Sequence, residues 1–407
     1  MKPLKEARGE VLAAVPVLPS ETVPLSDALG RVTSEDVVAT EQVPPFANSA
    51  VDGFSVRAED MASGIEVFTV VEDVPAGSVP SVAIGRGEAT RIMTGAPVPE
   101  GADAIVMVEN SELLDDGTVR FPTPVPAGSG VRRAGSDIEP GDRIVGKGVR
   151  LNARHLASLA SIGAIPSVGR RPTVAIMSTG DEVVSPDTTV VPPGAIRDTN
   201  RILLASLLAD LGVPVIDLGI IGDDIDELRS AYTRAAENAD IIVSTGGVSM
   251  GDYDYVKQVL GETGSVQFWK VAMQPAKPFA FGNVAGTPLF GLPGNPVSTF
   301  VAFEQFVRPA ILHMMGSIHL LRPRIEGVMG EDVTTNPEKE VFLRVILADD
   351  HGRLVALRSG GQGSNVISTL ASAEAFAVVP VGVSSVSAGE PVTLEMFTWA
   401  ENRTDDD

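Results

Sequence analysis

Between residues 173 and 244 short apolar runs alternate with amphipathic ones, and no other feature restricts the possible folds as strongly. Residues 173–177 read as an apolar strand. Residues 200–211 have helical periodicity and stop at Gly212, and 213–221 read as a second strand. A helix capped by Asp223 or Asp224 then runs to about Asn238, and 240–244 is a buried-type strand ending in Thr-Gly-Gly. Strand, helix and strand in this order predict a parallel sheet with right-handed crossovers. Ligands of such sheets bind beyond the carboxyl ends of the strands.

The stretch 288–309, PLFGLPGNPVSTFVAFEQFVRP, extends the pattern as a strand, a Gly-Pro turn and an amphipathic helix. Asn295 stands at the N-cap and Pro296 at the first helical position, where a missing N–H costs nothing. Unpaired N–H groups at such a helix start suit an anion. One turn of this kind is ordinarily a plain connection, but three strand ends here carry small polar turns. They are STGDE at 178–182, with Thr179 and Gly180; STGGVSMG at 244–251, with Gly246, Gly247 and Ser249; and GLPGNP at 291–296, with Pro293. Glycines admit a ligand to backbone N–H groups and hydroxyls add donors, so the three predict a phosphate and nucleotide cradle.

The flanks differ in texture. A helix is expected over 4–14 and another over 152–162, the latter capped by Asn152 and stopped at Gly163. Residues 41–145 are dense in Val, Pro and Gly, with short alternating runs at 65–71 and 104–108, and read as β-rich. From about Arg322 short strands return at 341–347, 354–357, 375–379 and 391–397, at a spacing that suits a small barrel or sandwich.

Composition removes whole classes of function. A net charge of −22 over 407 residues argues against nucleic acid, whose binders need phosphate-neutralising Lys and Arg. The absence of Cys excludes disulfides, thiolate nucleophiles, iron–sulfur clusters and Cys-type zinc sites. The four His show no ligand spacing, so a metal is expected to be a hard, oxygen-liganded ion such as Mg²⁺. MKPLKEARGE is followed by no signal-type apolar core, and no apolar run reaches membrane-spanning length, so no membrane contact and a cytoplasmic location are expected.

Candidate charged groups gather beside the turns. The carboxylates are Asp181, Glu182, Asp223, Asp224, Asp252 and Asp254, of which Asp223 or Asp224, and Asp252 or Asp254, are also readable as helix caps. Together they could hold Mg²⁺ between phosphates, which needs only one or two protein carboxylates. Basic residues are scarce: Lys270 and Lys277 flank a loop, Arg132 and Arg133 precede Asp137, and Arg197 and Arg201 bracket DTN.

Taken in order, these segments resemble the MoeA family of molybdopterin molybdenumtransferases, relatives of the gephyrin E domain. The resemblance rests on PPFANSAVDGF at 44–54, RIMTGAPVPEGADAIV at 91–106, GSDI at 135–138, STGDE, DTNR at 198–201, STGGVSMGDYD at 244–254, GLPGNPVS at 291–298 and GQGSN at 361–365. It implies a multidomain α/β plus β fold. An N-terminal helix at 1–20 would pack with a MogA-like α/β domain at 172–320. A small joining domain would form from 21–40 and 141–171, a β-rich domain from 41–140 and a C-terminal β-barrel from 321–403, followed by an acidic tail at 404–407.

The reaction implied is insertion of molybdate into adenylylated molybdopterin, with Mg²⁺ and release of AMP, by a homodimer whose sites lie between subunits. The resemblance places Asp52 and Thr94 at the cleft with Arg132 and Asp137 nearby. It gives Glu182, Asp223 and Asp254 as acidic positions, with Glu182 and Asp254 as metal ligands, and Lys270 and Lys277 as basic ones. Pro293 and Pro296 would shape the turn, and Ser364 would be the barrel's contribution. The rival expectations are a molybdopterin adenylyltransferase, which is also the expected partner enzyme, and a non-catalytic scaffold. One departure stands out: 274–278 reads QPAKP, with Gln274 where many relatives carry a basic residue and Ala276 where they carry Gly.

Overall fold

The structure, a computed structural model, describes residues 1–247 and 255–397. Ser249, Asp252, Asp254 and the tail at 404–407 lie outside the described residues. In the first 140 residues six strands form one sheet: β1 Gly53–Val56, β2 Val67–Val74, β3 Glu88–Ile92, β4 Ala104–Met107, β5 Glu112–Leu113 and β6 Thr118–Arg120. Their order is β4-β1-β3-β2-β6-β5. In its core Phe121 packs at a tilt against Phe68 and Phe54, with ring centroids 5.2 and 5.7 Å away.

The chain on either side of this sheet comes together. Ser20–Thr22 pairs with Ser167–Gly169, and Val37–Val38 with Arg143–Val145. The helix Ala153–Ser161 packs here. Asn152 Oδ1 accepts from the N–H groups of Arg154 and His155, and the His155 ring accepts from the Asn152 N–H at 3.2 Å, a reciprocal cap.

The alternating region forms the second six-stranded sheet: β7 Val174–Thr179, β8 Val215–Ile221, β9 Ile241–Thr245, β10 Gly264–Lys270, β11 Pro278–Val284 and β12 Thr287–Leu292, ordered β8-β7-β9-β12-β11-β10. Strands β7, β8, β9 and β12 are mutually parallel, as the alternation predicts. Strand β11 runs against them. Its reversal follows from the two-residue turn Ala285–Gly286, both at positive φ (48° and 89°), which closes a tight hairpin with β12. Because β10 is antiparallel to β11, it again points with the parallel four. Five carboxyl ends therefore share one edge of the sheet. Helix Asn200–Leu211 ends at Gly212, with φ 70°, and Asp224 rather than Asp223 caps Ile225–Asn238.

The helix after β12 departs from expectation. It runs as Pro296–Ala302, a π-helical turn Phe303–Val307 and Arg308–Met314, and every residue from Val297 to Leu312 is buried. An amphipathic helix would leave one face wet. Here that face is covered by the N-terminal helix Leu4–Ala14 and by Phe342, Phe376 and Val378 of the next region, all in one core. Its polar residues find partners there. Arg322 binds Glu304 at 2.8 and 2.9 Å, Gln305 donates to Glu395 at 2.6 Å, and Arg8 donates to the Gln305 carbonyl at 3.0 Å.

Strands β13 Arg324–Met329, β14 Glu340–Asp350, β15 Arg353–Arg358, β16 Ala375–Val379 and β17 Pro391–Met396 close into a barrel, in the order β14-β15-β13-β17-β16 and back to β14. The short strand Met273–Gln274 adds to β14, so the barrel grips the QPAKP loop.

Candidate active site

The three turns read from the sequence converge on a cavity of about 410 Å³ lined by Ser178, Thr179, Glu182, Asn200, Gly246 and Asn295, among others. Parallel pairing alone would align the strand ends; hydrogen bonds then tie the turns to one another. Thr179 Oγ1 donates to the Thr245 carbonyl at 3.2 Å, and the Gly246 N–H to the Leu292 carbonyl at 3.2 Å. Asn200 Nδ2 donates to the Gly294 carbonyl at 2.7 Å. Gly246 has φ 92°, and a Cβ there would stand 2.6 Å from the Thr179 carbonyl oxygen. Gly180 has φ 132° and leaves room for the Glu182 carboxylate, which a Cβ would meet at 2.4 Å. Asp223 is exposed beside this group, its N–H bound by Asp181 at 2.9 Å.

The barrel completes one wall. Asn295 stands at the N-cap but makes no capping bond with its side chain. Its amide instead donates to Ser364 Oγ at 3.1 Å, and the Ser364 carbonyl takes the Val297 N–H at 3.3 Å. One of the helix-start donors expected to face a ligand is thus already bound, and Pro296 removes another. The loop carrying Ser364 is held from below by Arg344, which is fully buried. Arg344 donates to the carbonyl oxygens of Gly361 at 2.7 Å and Gly363 at 3.2 Å, and to Thr369 Oγ1 at 2.7 Å. Burial lowers its pKa. Sequence reading passed over Arg344, a lone charge in an apolar strand, and that mismatch was the available signal. Asn200 was also missed as a site residue, although the DTNR motif contains it.

Lys270 and Lys277 are exposed on the same sheet edge, at the end of β10 and just before β11. The loop between them is fixed by the Val271 N–H donating to the Lys277 carbonyl at 2.8 Å. Within it Ala276 has φ 70° and is buried. A left-handed alanine costs about 1–2 kcal/mol, and its buried methyl returns about 0.8 kcal/mol. Ala276→Gly is therefore expected to stabilise the protein by up to about 1 kcal/mol, read by thermal unfolding; a destabilised variant would contradict this. Arg197 and Arg201 are engaged structurally. Arg201 pairs with Asp198 at 3.0 Å and with Asp217, while Arg197 donates to the carbonyls of Pro186 and Thr188.

Asp52 and Thr94 meet although 42 positions apart: the Thr94 N–H and hydroxyl both donate to Asp52 Oδ1, at 2.7 and 2.8 Å. Arg132 pairs opposite Asn48, and the Asp137 N–H donates to the Val43 carbonyl. All four side chains are exposed, and among the described residues none from 41–140 lines the cavity. Of the expected residues the structure thus gathers Thr179, Glu182, Gly246, Asn295 and Pro296 at the cavity wall, leaves Lys270, Lys277 and Asp223 outside that lining, and sets the group from the β-rich region apart. The backbone and then the side-chain hydrogen bond from Thr94 hold the Asp52 carboxyl below its ordinary value of 3.8. A depressed folded-state pKa means the contact is present above 3.8 and is lost only as pH falls below it. Exchange protection of the Thr94 amide should accordingly persist through pH 4; loss between pH 5 and 6 would contradict the assignment.

Among the described residues no group of three His, Asp or Glu side chains could cage a metal. Glu182 is an exposed oxygen donor at the cavity wall. That suits an ion such as Mg²⁺ held mainly by ligand phosphates and water, which takes one or two carboxylates from the protein.

Comparison with known proteins covers almost the whole chain. Residues 2–163 match the MoeA N-terminal region (domain I and II), 175–313 a probable molybdopterin binding domain, and 326–397 the MoeA C-terminal region (domain IV). The molybdopterin molybdenumtransferase of Haemophilus influenzae is 37% identical over 98% of this chain and 99% of its own length. Molybdopterin molybdenumtransferase 2 of Mycobacterium tuberculosis is 39% identical over 90% and 93%. Among solved structures, a molybdopterin biosynthesis MoeA protein of Pyrococcus horikoshii superposes with a TM-score of 0.80 at 33% identity, covering 98% of this chain and 99% of that one.

Proposed function

Since the chain belongs to the MoeA family and is a transferase of molybdenum cofactor biosynthesis, we propose that it inserts molybdate into adenylylated molybdopterin and releases AMP. The observation that carries this reading is the meeting of three small-residue turns, at the ends of β7, β9 and β12, with the Ser364 loop at one cavity. The turns through Thr179, Gly180, Gly246, Gly247 and Ser249 would take the phosphates. Pro293, Asn295, Pro296 and Ser364 would shape the end of the cleft. Lys270 and Lys277 would bind molybdate and the terminal phosphate, and Asp223 would stand beside the pyrophosphate.

Glu182, with Asp254, would hold Mg²⁺, which when bound neutralises phosphate charge. In this reading water cleaves the phosphoanhydride, so that AMP leaves and the pterin keeps its own phosphate, and the two dithiolene sulfurs displace two molybdate oxygens, which leave as water, with no change of oxidation state. Sulfur ligation thus comes from the substrate, and a chain without Cys loses nothing. The separation of Asp52, Thr94, Arg132 and Asp137 from the cavity supports a homodimer in which a second copy brings this group to the cleft. We place the protein in the cytoplasm, receiving its substrate from a molybdopterin adenylyltransferase. Among the described residues no helix is long and apolar enough to cross a membrane.

The test is the molybdenum content of the pterin product after turnover, with one molybdenum per pterin expected. A pterin that leaves as the free dithiol would overturn the proposal. Glu182→Ala and Asp52→Ala are each expected to lower turnover about 10²–10³-fold, the scale of one lost electrostatic contact at a reacting centre. Mixing the two inactive variants should restore part of the activity, because a mixed dimer has one intact site.

A further inference from the structure

Strand β10 is the last in its sheet, so its outer edge has no strand of that sheet beside it among the described residues. Where the strand ends at Lys270, that edge is covered by a residue just ahead of the first helix. The Lys2 N–H donates to the Lys270 carbonyl at 2.8 Å, and the Lys2 carbonyl accepts from the Ala272 N–H at 2.8 Å, a one-residue parallel bridge centred on Val271. On the inner side Lys270 stands opposite Pro278, which has no N–H to give, and its carbonyl looks outward to Lys2.

The bridge is anchored from its own side. Lys2 Nζ lies 3.9 Å from the Trp269 ring centroid and pairs with Glu10 at 2.5 Å. Trp269 in turn packs against Phe279 and Phe281, with centroids 5.9 and 5.8 Å away. Neither contact of the Lys2 side chain is strong alone, but Leu4, Ala7 and Val11 of the helix behind it are buried in one core with Val271, Met273 and Ala276. Beyond the bridge the Ala272 carbonyl takes the Glu340 N–H at 3.0 Å. The stretch that follows Lys270 is therefore clamped between Lys2 and the barrel.

We propose that Lys2 is a positioning residue for Lys270: it fixes the peptide groups on either side of Val271, and so the direction in which Lys270 meets a tetrahedral oxyanion. The inference rests on Lys270 binding molybdate, as proposed above. Lys270 is exposed and forms no ion pair among the described residues, so what the fold controls is the backbone that carries it. Successive residues of a strand point to opposite faces. With Trp269 held under Lys2 on one face, the strand end cannot twist and swing Lys270 away on the other. A cation on a loose strand end would bind with an affinity reduced by the fraction of time its competent arrangement is populated.

The test is a double-mutant cycle of Lys2→Pro and Lys270→Ala in the otherwise intact protein, read as the KM for molybdate in AMP release. Lys2→Pro removes the N–H that donates to Lys270 and sets a ring carbon in its place. It should raise KM about tenfold with kcat retained, the signature of lost binding rather than lost chemistry. In the Lys270→Ala background it should add nothing, because an effect carried by one side chain cannot outlast it. An unchanged KM in Lys2→Pro, or an equal further rise in the absence of Lys270, would overturn the role of Lys2. So would a raised KM with the Ala272 amide still protected from hydrogen exchange. If Lys2→Pro does not fold, Lys2→Glu, which Glu10 and the Trp269 ring face repel, releases the bridge without a proline and should give the same cycle. Lys270→Ala alone separates this inference from the reading beneath it. A raised KM there with none in Lys2→Pro removes only the role of Lys2, whereas an unchanged KM in Lys270→Ala removes Lys270 from the molybdate site and the role of Lys2 with it.

Discussion

Glu304→Ala is expected to destabilise the protein by about 3–5 kcal/mol, the cost of breaking a buried ion pair by removing one partner. Glu304 has no exposed side-chain surface. It accepts from Arg322 at 2.8 and 2.9 Å, with Arg308 3.8 Å away. Burial, and then the neighbouring Arg322, lower the pKa of Arg308 to about 10, and Glu304 opposes both effects. Without it, two guanidinium groups face each other in a junction from which water is largely excluded. The loss should be local at first, because Glu304 lies in the π-helical turn between the parallel sheet and the barrel. Hydrogen exchange should therefore show the barrel strands β13 and β17 opening before the sheet. Glu304→Gln keeps the shape and one hydrogen bond and should recover part of the stability. A Glu304→Ala protein within 1 kcal/mol of wild type would mean the junction is held by its apolar core alone.

The second large effect belongs to the site. Gly246→Ala would place a methyl 2.6 Å from the Thr179 carbonyl oxygen and 2.7 Å from its hydroxyl, at a φ of 92°. No side-chain rotation relieves a Cβ contact with backbone, so the strand ends of β7 and β9 must separate. Left-handed strain of about 1–3 kcal/mol and overpacking of about 1–3 kcal/mol act together on a turn that forms the cavity wall. Turnover should fall more than 100-fold, with the parallel sheet retained, because a misplacement of about 1 Å costs that much. Gly95→Ala is the contrast. Its φ of 84° carries similar strain, but nothing stands within 4 Å of the added carbon. A Gly246→Ala enzyme with near-normal turnover would remove this turn from the active site.

Local signals carried most of the fold. Gly212 ends its helix and Asn152 caps its own, so those boundaries were readable from neighbouring residues. The parallel strands were readable because each is apolar and followed by a helix. Long-range geometry was less legible. The reversal of β11 depends on Ala285 taking a positive φ, which its residue type does not announce. Gln305 of the helix after β12 looked solvent-facing because its partners, Arg8 and Glu395, lie far away in sequence. At the site, the glycine turns could be named in advance. That Asn295 gives its amide to Ser364 instead of the helix could not, since Ser364 arrives from another domain 69 residues later.

The most direct measurement is AMP release from adenylylated molybdopterin by the purified protein, with Mg²⁺, in the presence and absence of molybdate. Release that requires molybdate is the expected result, and it would make Gln274 a tolerated replacement for a basic residue. Tight binding of the substrate with no molybdate-dependent release would contradict the account and leave a carrier or scaffold in its place.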